Sequence, residues 1–194
     1  MAGPRIVTFA GSIRTGSFSA KLSALAAREL PTLGAEAVHL TLADYAMPIY
    51  DGDLEAAEGV PEAAKRLHGV LAGAAGVFIV TPEYNAGVPP LLKNAIDWVS
   101  RVRDGAGDPY KGPVWAIGAT SPGALGGYRA SIMLRQTLAL GLSCLVLGEQ
   151  MVVSGAAKAF TEEGGLAEER AQTQLRGVLS VLVAQAKLRA AARG

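Results

Sequence analysis

The chain has 194 residues and a mass of 19.9 kDa, enough for one substantial core and too short for two ordinary domains. Half of the residues are hydrophobic, 18% are charged, and the formal net charge is +1. A near-neutral chain without a run of Lys and Arg gives no reason to expect a nucleic-acid partner. The longest uncharged stretch, 112–128, holds five glycines and two prolines and is shorter than the ~20 apolar residues of a membrane helix. No membrane partner is therefore expected.

The first residues lead directly into a strand-like segment, with no signal-peptide core before it. Cys144 is the only cysteine, so an intrachain disulfide is impossible and a cytoplasmic location is expected. Cys144 lies in the apolar run 142–147, which predicts a buried and unreactive thiol.

Strands and helices alternate along the chain. Short apolar, β-branched runs predict strands, and apolar residues recurring every three or four positions predict helices. The N-terminal half holds a strand at 5–10, a helix from Phe18 to before Pro31, a strand at 36–42, an irregular segment at 45–59 and a helix at about 61–73. The C-terminal half holds a strand at 76–81, a helix around 92–101, a strand at 114–120, a helix at about 128–140, a strand near 144–153 and a last helix with an apolar stripe over 175–186. Five strands alternating with five helices predict one α/β domain over 1–194, with a parallel sheet covered on both faces.

The loop between the first strand and the first helix is suited to an anion. Backbone N–H groups at a helix start, aided by the helix dipole, attract negative charge. Ser12, Ser17 and Ser19 add hydroxyl donors, and Arg14 adds a forked cation. The alternative is an ordinary turn in which Ser17 or Ser19 only caps the helix.

Two further loops follow the third and fourth strands. Residues 81–87 offer a mostly uncharged platform for a planar ring, and 121–127 form a glycine-rich loop. In a sheet ordered 2-1-3-4-5, ligands bind beyond the carboxyl ends of strands 1 and 3, where the first two loops meet. Together the loops predict bound flavin mononucleotide (FMN). The alternative for 81–87 is a polar turn with Pro89 opening the next helix.

Rival sites have weaker support. The chain contains neither a P-loop, nor Gly-x-Gly-x-x-Gly in the first turn, nor Gly-x-Ser-x-Gly. His39 and His68 lie about thirty residues apart, with no cysteine or carboxylate at ligand spacing, so both are expected to be structural and no metal site is predicted. Trp98 and Trp115 are expected in the core.

The three loops resemble those of the NADPH-dependent FMN reductases. The matching segments are Gly-Ser-Ile-Arg-Thr-Gly-Ser-Phe-Ser at 11–19, Thr-Pro-Glu-Tyr-Asn-Ala-Gly with its continuation at 81–98, Gly-Gly-x-Arg-Ala at 126–130 and Met-Pro-Ile-Tyr-Asp-Gly-Asp-Leu-Glu at 47–55. The resemblance covers about 5–160. It implies a flavodoxin-like fold and a homodimer or homotetramer with the ring site near a subunit interface. The family includes bacterial quinone, azo-dye and chromate reductases.

The resemblance also implies roles for individual residues. The phosphate end would be held by Ser12, Arg14, Ser17, Phe18 and Ser19; the isoalloxazine would be framed by Pro82, Glu83, Tyr84, Asn85 and Gly87 and flanked by Ser121 and Gly123. The family commonly has Asn where this chain has Ser19, and this difference is expected to leave the cofactor unchanged and to have a small effect on its affinity. Tyr128 stands where smaller residues are usual.

These residues predict an NAD(P)H-dependent FMN oxidoreductase. Hydride would pass from NADPH or NADH to flavin N5 and on to a small-molecule acceptor such as a quinone, an azo compound or a metal oxyanion. Because the flavin carries the chemistry, no catalytic acid, base or nucleophile is named. One alternative is a flavodoxin-like electron carrier without nicotinamide turnover, although such carriers are usually strongly acidic. Another is a flavin-binding regulator.

Overall fold

The computed structural model describes residues 3–192 and is built around a five-stranded sheet. The strands are β1 (Arg5–Ala10), β2 (Glu36–His39), β3 (Gly76–Pro82), β4 (Val114–Thr120) and β5 (Leu145–Val153). They lie in the order 2-1-3-4-5, and every neighbouring pair is parallel. This confirms the predicted doubly wound, flavodoxin-like sheet.

Residues 3–192 contain six α-helices, and all of them except the second contribute residues to the two faces of the sheet. They are α1 (Phe18–Glu29), α2 (Gly52–Glu58), α3 (Glu62–Ala72), α4 (Pro90–Val99), α5 (Tyr128–Gln136) and α6 (Glu169–Ala191). In this described range, no helix is both long enough and apolar enough to cross a membrane.

Each face of the sheet has its own hydrophobic core, because successive strand residues point to opposite faces. Phe78 and Val80 of β3 pack with α1 and α6, whereas Val77 and Ile79 pack with α3 and α4. The apolar stripe of α6 is buried as predicted. Trp98 and Trp115 are also buried, with 0% and 1% of their surface exposed.

The prediction of an irregular segment at 45–59 was wrong for its second half, which forms α2. The Asp51 carboxylate caps this helix by accepting hydrogen bonds from the N–H groups of Asp53 (2.8 Å) and Leu54 (3.4 Å). None of the residues of α2 is buried, so the helix has no apolar periodicity that the sequence could reveal.

Two element ends also differ from prediction. β2 stops at His39, and residues 42–45 turn into a 3-10 segment that the Thr41 hydroxyl caps. α5 stops at Gln136 and continues as a π-helical turn over Thr137–Gly141. Both differences lie at the ends of elements, where local patterning is weakest.

Candidate cofactor site

The three candidate loops meet at the carboxyl edge of the sheet. β1 and β3 are neighbours, but their following helices α1 and α4 lie on opposite faces, and doubly wound sheets bind ligands in the crevice at such a switch point. The N–H of Gly11 donates to the carbonyl oxygen of Val80 (2.8 Å), which holds the start of the first loop against the end of β3. A Cβ atom on Gly11 would lie 2.7 Å from the Leu92 side chain, so this position requires glycine for α4 to pack.

The serines of the first loop are buried around the start of α1. Ser12, Ser17 and Ser19 are only 8%, 4% and 1% exposed. Ser17 is the N-cap, as the simpler alternative predicted: its Oγ accepts a long hydrogen bond from the Ala20 N–H (3.4 Å) and lies 2.9 Å from the Ser19 Oγ. The backbone N–H groups of Phe18 and Ser19, in the first turn, have no intrahelical acceptor. Capping and anion binding are therefore compatible here.

The chemistry of this loop fits a phosphate group. Residues 11–19 contain hydroxyls, backbone N–H groups and the Arg14 guanidinium, and they contain no carboxylate. Arg14 is exposed; its Nη1 donates to the Thr15 carbonyl oxygen (3.2 Å) and its Cζ lies 6.0 Å from the centre of the Phe18 ring. A cation would find no negative ligand among these side chains, whereas a phosphate would find several donors.

The second loop forms a tight turn that projects from the end of β3. Tyr84 and Gly87 exchange two backbone hydrogen bonds of 3.1 and 2.9 Å, and Asn85 and Ala86 between them have φ values of +50° and +66°. Two left-handed residues at the centre define a type I′ turn, which is unfavourable for alanine. Tyr84 is 49% exposed at this turn, and Pro82 immediately precedes the loop as the last residue of β3. The turn therefore leaves one aromatic ring half exposed next to the end of β3.

The Glu83 side chain turns away from that turn and caps α5. One carboxylate oxygen accepts from the N–H groups of Arg129 (3.1 Å) and Ala130 (3.2 Å), and the other accepts from the Arg129 guanidinium. The hydrogen bond from Arg129 is the main cause that lowers the pKa of Glu83, outweighing the opposing effect of burial. The structure therefore leaves only the backbone of Glu83 for the predicted ring contact.

The third loop depends on two glycines with left-handed backbone conformations. Gly126 and Gly127 have φ values of +59° and +87°, and a Cβ on Gly126 would lie 2.6 Å from Val152. The Ser121 Oγ accepts from the Gly123 N–H (3.2 Å), so its own O–H remains available as a donor. Tyr128, at the start of α5, is 47% exposed beside this loop.

Two long-range contacts at the site have no signature in the local sequence. The Phe160 ring, from the segment between β5 and α6, stacks on Phe18 with centres 6.2 Å apart and planes at 6°. The sulfur of Met133 on α5 accepts a hydrogen bond from the Val88 N–H (3.4 Å), just after the turn. Only the fold brings these pairs together.

His39 contacts the neighbouring strand β1, His68 and Cys144 are buried, and the structural role of all three stays a prediction. His39 Nδ1 lies 2.9 Å from the Thr8 hydroxyl, and burial is the main cause that lowers the pKa of His39. His68 is buried near the opposite edge of the sheet. Cys144 is 7% exposed, and burial raises its pKa to about 12, so its thiol is unreactive at neutral pH. Across residues 3–192, no cluster of three potential metal ligands is present.

Comparison with known proteins agrees with this arrangement. The family described as NADPH-dependent FMN reductase matches residues 4–158, which include all three loops. A quinone reductase of Escherichia coli (strain K12) is 38% identical over 155 residues, covering 78% of this chain and 77% of that protein. An NAD(P)H-dependent FMN reductase of Pseudomonas aeruginosa is 33% identical over 180 residues, or 92% of each chain.

A solved structure shows the same architecture. The flavoenzyme NAD(P)H:(acceptor) oxidoreductase FerB from Paracoccus denitrificans superposes with a TM-score of 0.79 at 26% identity, covering 96% of this chain and 98% of FerB. The sheet order, the site loops, the family match and relatives above 30% identity all agree. The chain belongs to the NADPH-dependent FMN reductase family and is an oxidoreductase of that family.

Proposed function

We propose that the crevice at the carboxyl edge holds FMN and that reduced nicotinamide reaches the flavin there. The observation that carries the proposal is the loop at the start of α1, which is rich in hydrogen-bond donors and contains no carboxylate. This loop lies beside the exposed type I′ turn after β3. The phosphate end is assigned to Ser12, Arg14, Ser17, Phe18 and Ser19, and the ring end to Pro82, Glu83, Tyr84, Asn85, Gly87, Ser121 and Gly123. Glu83 contributes through its backbone.

Each group of residues has a binding role. The serine hydroxyls and the free N–H groups of α1 orient the phosphate, and the Arg14 guanidinium neutralises part of its charge. FMN held by these residues would supply the redox chemistry, which is hydride transfer from NADPH or NADH and electron transfer to an acceptor. Because relatives are named quinone reductases, a quinone-like small molecule is the proposed acceptor, and azo compounds or metal oxyanions are further candidates.

A spectrum followed by anaerobic reduction tests the proposal. Protein mixed with FMN and separated from free flavin is expected to retain the visible flavin bands, and NADPH or NADH is expected to bleach them within seconds. A quinone should then restore the colour. FMN that fails to bind contradicts the proposed site. Bound FMN that neither nucleotide reduces contradicts the reductase activity and favours an electron carrier.

We also propose that the chain forms a homodimer or homotetramer through the surface around the crevice. Large apolar side chains are exposed on the loops at this edge and on α5: Ile13, Tyr84, Leu125, Tyr128, Ile132 and Met133. Several large apolar side chains exposed near one edge of the sheet are typical of an interaction site. Ile132→Glu is expected to shift the protein to monomers in sedimentation velocity, whereas a monomeric wild type at tens of micromolar would contradict the proposal.

The domain organisation and the location remain proposals as well. We infer a single domain over 1–194, since both hydrophobic cores share one sheet. Two separate unfolding transitions in urea would contradict this inference.

A cytoplasmic location is proposed because the chain has one buried cysteine and no possible intrachain disulfide. Recovery of the native protein in an extracytoplasmic fraction would overturn it.

A further inference from the structure

Two cationic side chains, Arg14 and Lys21, lie near an aromatic pair at the start of α1. Phe18 is the first residue of α1, and its ring stacks on that of Phe160. The Lys21 ammonium lies 5.9 Å from the centre of the Phe18 ring and 6.0 Å from the centre of the Phe160 ring. Arg14 lies 6.0 Å from the Phe18 ring, so both cations are gathered around one aromatic side chain.

Neither cation is neutralised by the protein. The ion pairs within the described part of the chain do not include Arg14 or Lys21. Two like charges around one ring repel each other unless an anion joins them. The ring contacts also restrict the flexible lysine stem, which reduces the entropy that binding must remove.

The charge of the FMN phosphate exceeds the charge that Arg14 supplies. A phosphate monoester carries about −1.5 to −2 charges at pH 7, and Arg14 supplies a single positive charge. Lys21 is one helical turn beyond the N-cap Ser17, on the helix whose first N–H groups face the phosphate position. We propose that Lys21 is the second phosphate-directed cation, that the Phe18–Phe160 pair holds it in place, and that it makes the site selective for FMN over riboflavin.

The test compares FMN with riboflavin, which has the same ring and lacks the phosphate. Dissociation constants are measured by flavin fluorescence quenching for wild-type protein, Lys21→Met, Lys21→Arg and Lys187→Met. Lys187→Met is the control, because it makes the same charge change on α6. The Lys187 Nζ lies 3.8 Å from the Cβ position of Gly34, beyond the C-terminal end of α1. Since 12 residues of helix span about 18 Å, this control lies beyond the Debye length of ~8 Å at physiological salt.

Lys21→Met is expected to weaken FMN binding about threefold to tenfold and to leave riboflavin binding unchanged, because only the phosphate interacts with the lost charge. Lys21→Arg should stay within about twofold of the wild type, and Lys187→Met should match it. The difference between Lys21→Met and wild type should shrink in 1 M NaCl, where the Debye length is about 3 Å. Phe160→Leu, which keeps the charge but removes its platform, should weaken FMN binding by a smaller factor.

Three outcomes overturn the inference. Unchanged FMN binding in Lys21→Met removes the role of the charge. Equal weakening of FMN and riboflavin binding shows that Lys21 supports the loop and does not read the phosphate. The inference rests on the proposed FMN site. Wild-type protein that binds neither flavin overturns both the FMN site and the role of Lys21. If the wild type binds FMN and Lys21→Met binds it equally well, only the role of Lys21 is overturned.

Discussion

Glu83→Ala is expected to loosen the turn at the ring end of the site and to weaken FMN binding on the order of tenfold. The Glu83 carboxylate, just before the turn, caps two N–H groups of α5 and pairs with Arg129. Its loss removes a helix cap worth about 1 kcal/mol and a charge-assisted pair of about 1–2 kcal/mol. The free energy of unfolding should therefore fall by about 2–3 kcal/mol. Urea denaturation of the flavin-free protein and FMN titration measure the two effects.

Two variants separate the cap from the charge. Glu83→Gln keeps the shape and one acceptor oxygen, so it should recover about half of the lost stability. Glu58→Ala removes an exposed carboxylate at the end of α2 and should leave both measurements unchanged. Stability within about 0.5 kcal/mol of wild type in Glu83→Ala, together with unchanged FMN affinity, would show that α5 does not hold the turn.

The contribution of Glu83 has a defined pH dependence. Arg129 lowers the pKa of this carboxyl in the folded protein below its ordinary value of 4.5. A group whose folded pKa is lowered stabilises the protein fully above its unfolded pKa, and that stabilisation is lost as the pH falls through the folded pKa. The stability difference between wild type and Glu83→Ala should therefore be constant from pH 6 to 8 and should shrink progressively below about pH 4.5. A difference that grows on acidification would contradict the pairing.

The elements that could be predicted best are those with the strongest local patterns. β4 has the bounds given by its sequence, because its residues are buried on both faces and form an uninterrupted apolar run. The apolar stripe of α6 is visible because one side of a long helix packs on the sheet. α2 has neither pattern: the Asp51 cap is a local contact, and the ion pair that ties Glu55 to Arg101 joins residues far apart in sequence.

The same distinction applies to the site. The strand ends identify which loops meet, since the carboxyl ends of neighbouring parallel strands lie at one edge of the sheet. The direction of a side chain within a loop depends on partners elsewhere in the chain. The sequence could place Glu83 at the ring end, but only the fold shows its carboxylate directed to α5. For the same reason, the stacking of Phe160 on Phe18 could not be predicted from either segment alone.

Trp98→Ala is expected to be the most destabilising of the substitutions considered, lowering the free energy of unfolding by about 3–5 kcal/mol. The Trp98 side chain is 0% exposed, and its Nε1–H donates to the Pro48 carbonyl oxygen (2.8 Å). Its ring meets the edge of Tyr50, with centres 5.0 Å apart and planes at 75°. Truncation would leave a large cavity and release the segment before α2. Since small domains are stable by about 5–15 kcal/mol, the variant should fold with little margin.

Trp98→Phe separates the ring from the hydrogen bond. It keeps much of the buried volume and loses only the donor, while the Asn94 amide continues to donate to the Pro48 oxygen (2.8 Å). The expected cost is therefore about 1 kcal/mol. Urea denaturation measures both variants, and limited proteolysis should cut Trp98→Ala within 45–59 well before wild type or Trp98→Phe. If Trp98→Ala loses less than about 1 kcal/mol and 45–59 stays protected, then the Arg101–Glu55 ion pair and the Asn94 contacts are sufficient to hold the segment. Trp98 would in that case fill space without anchoring the segment 45–59.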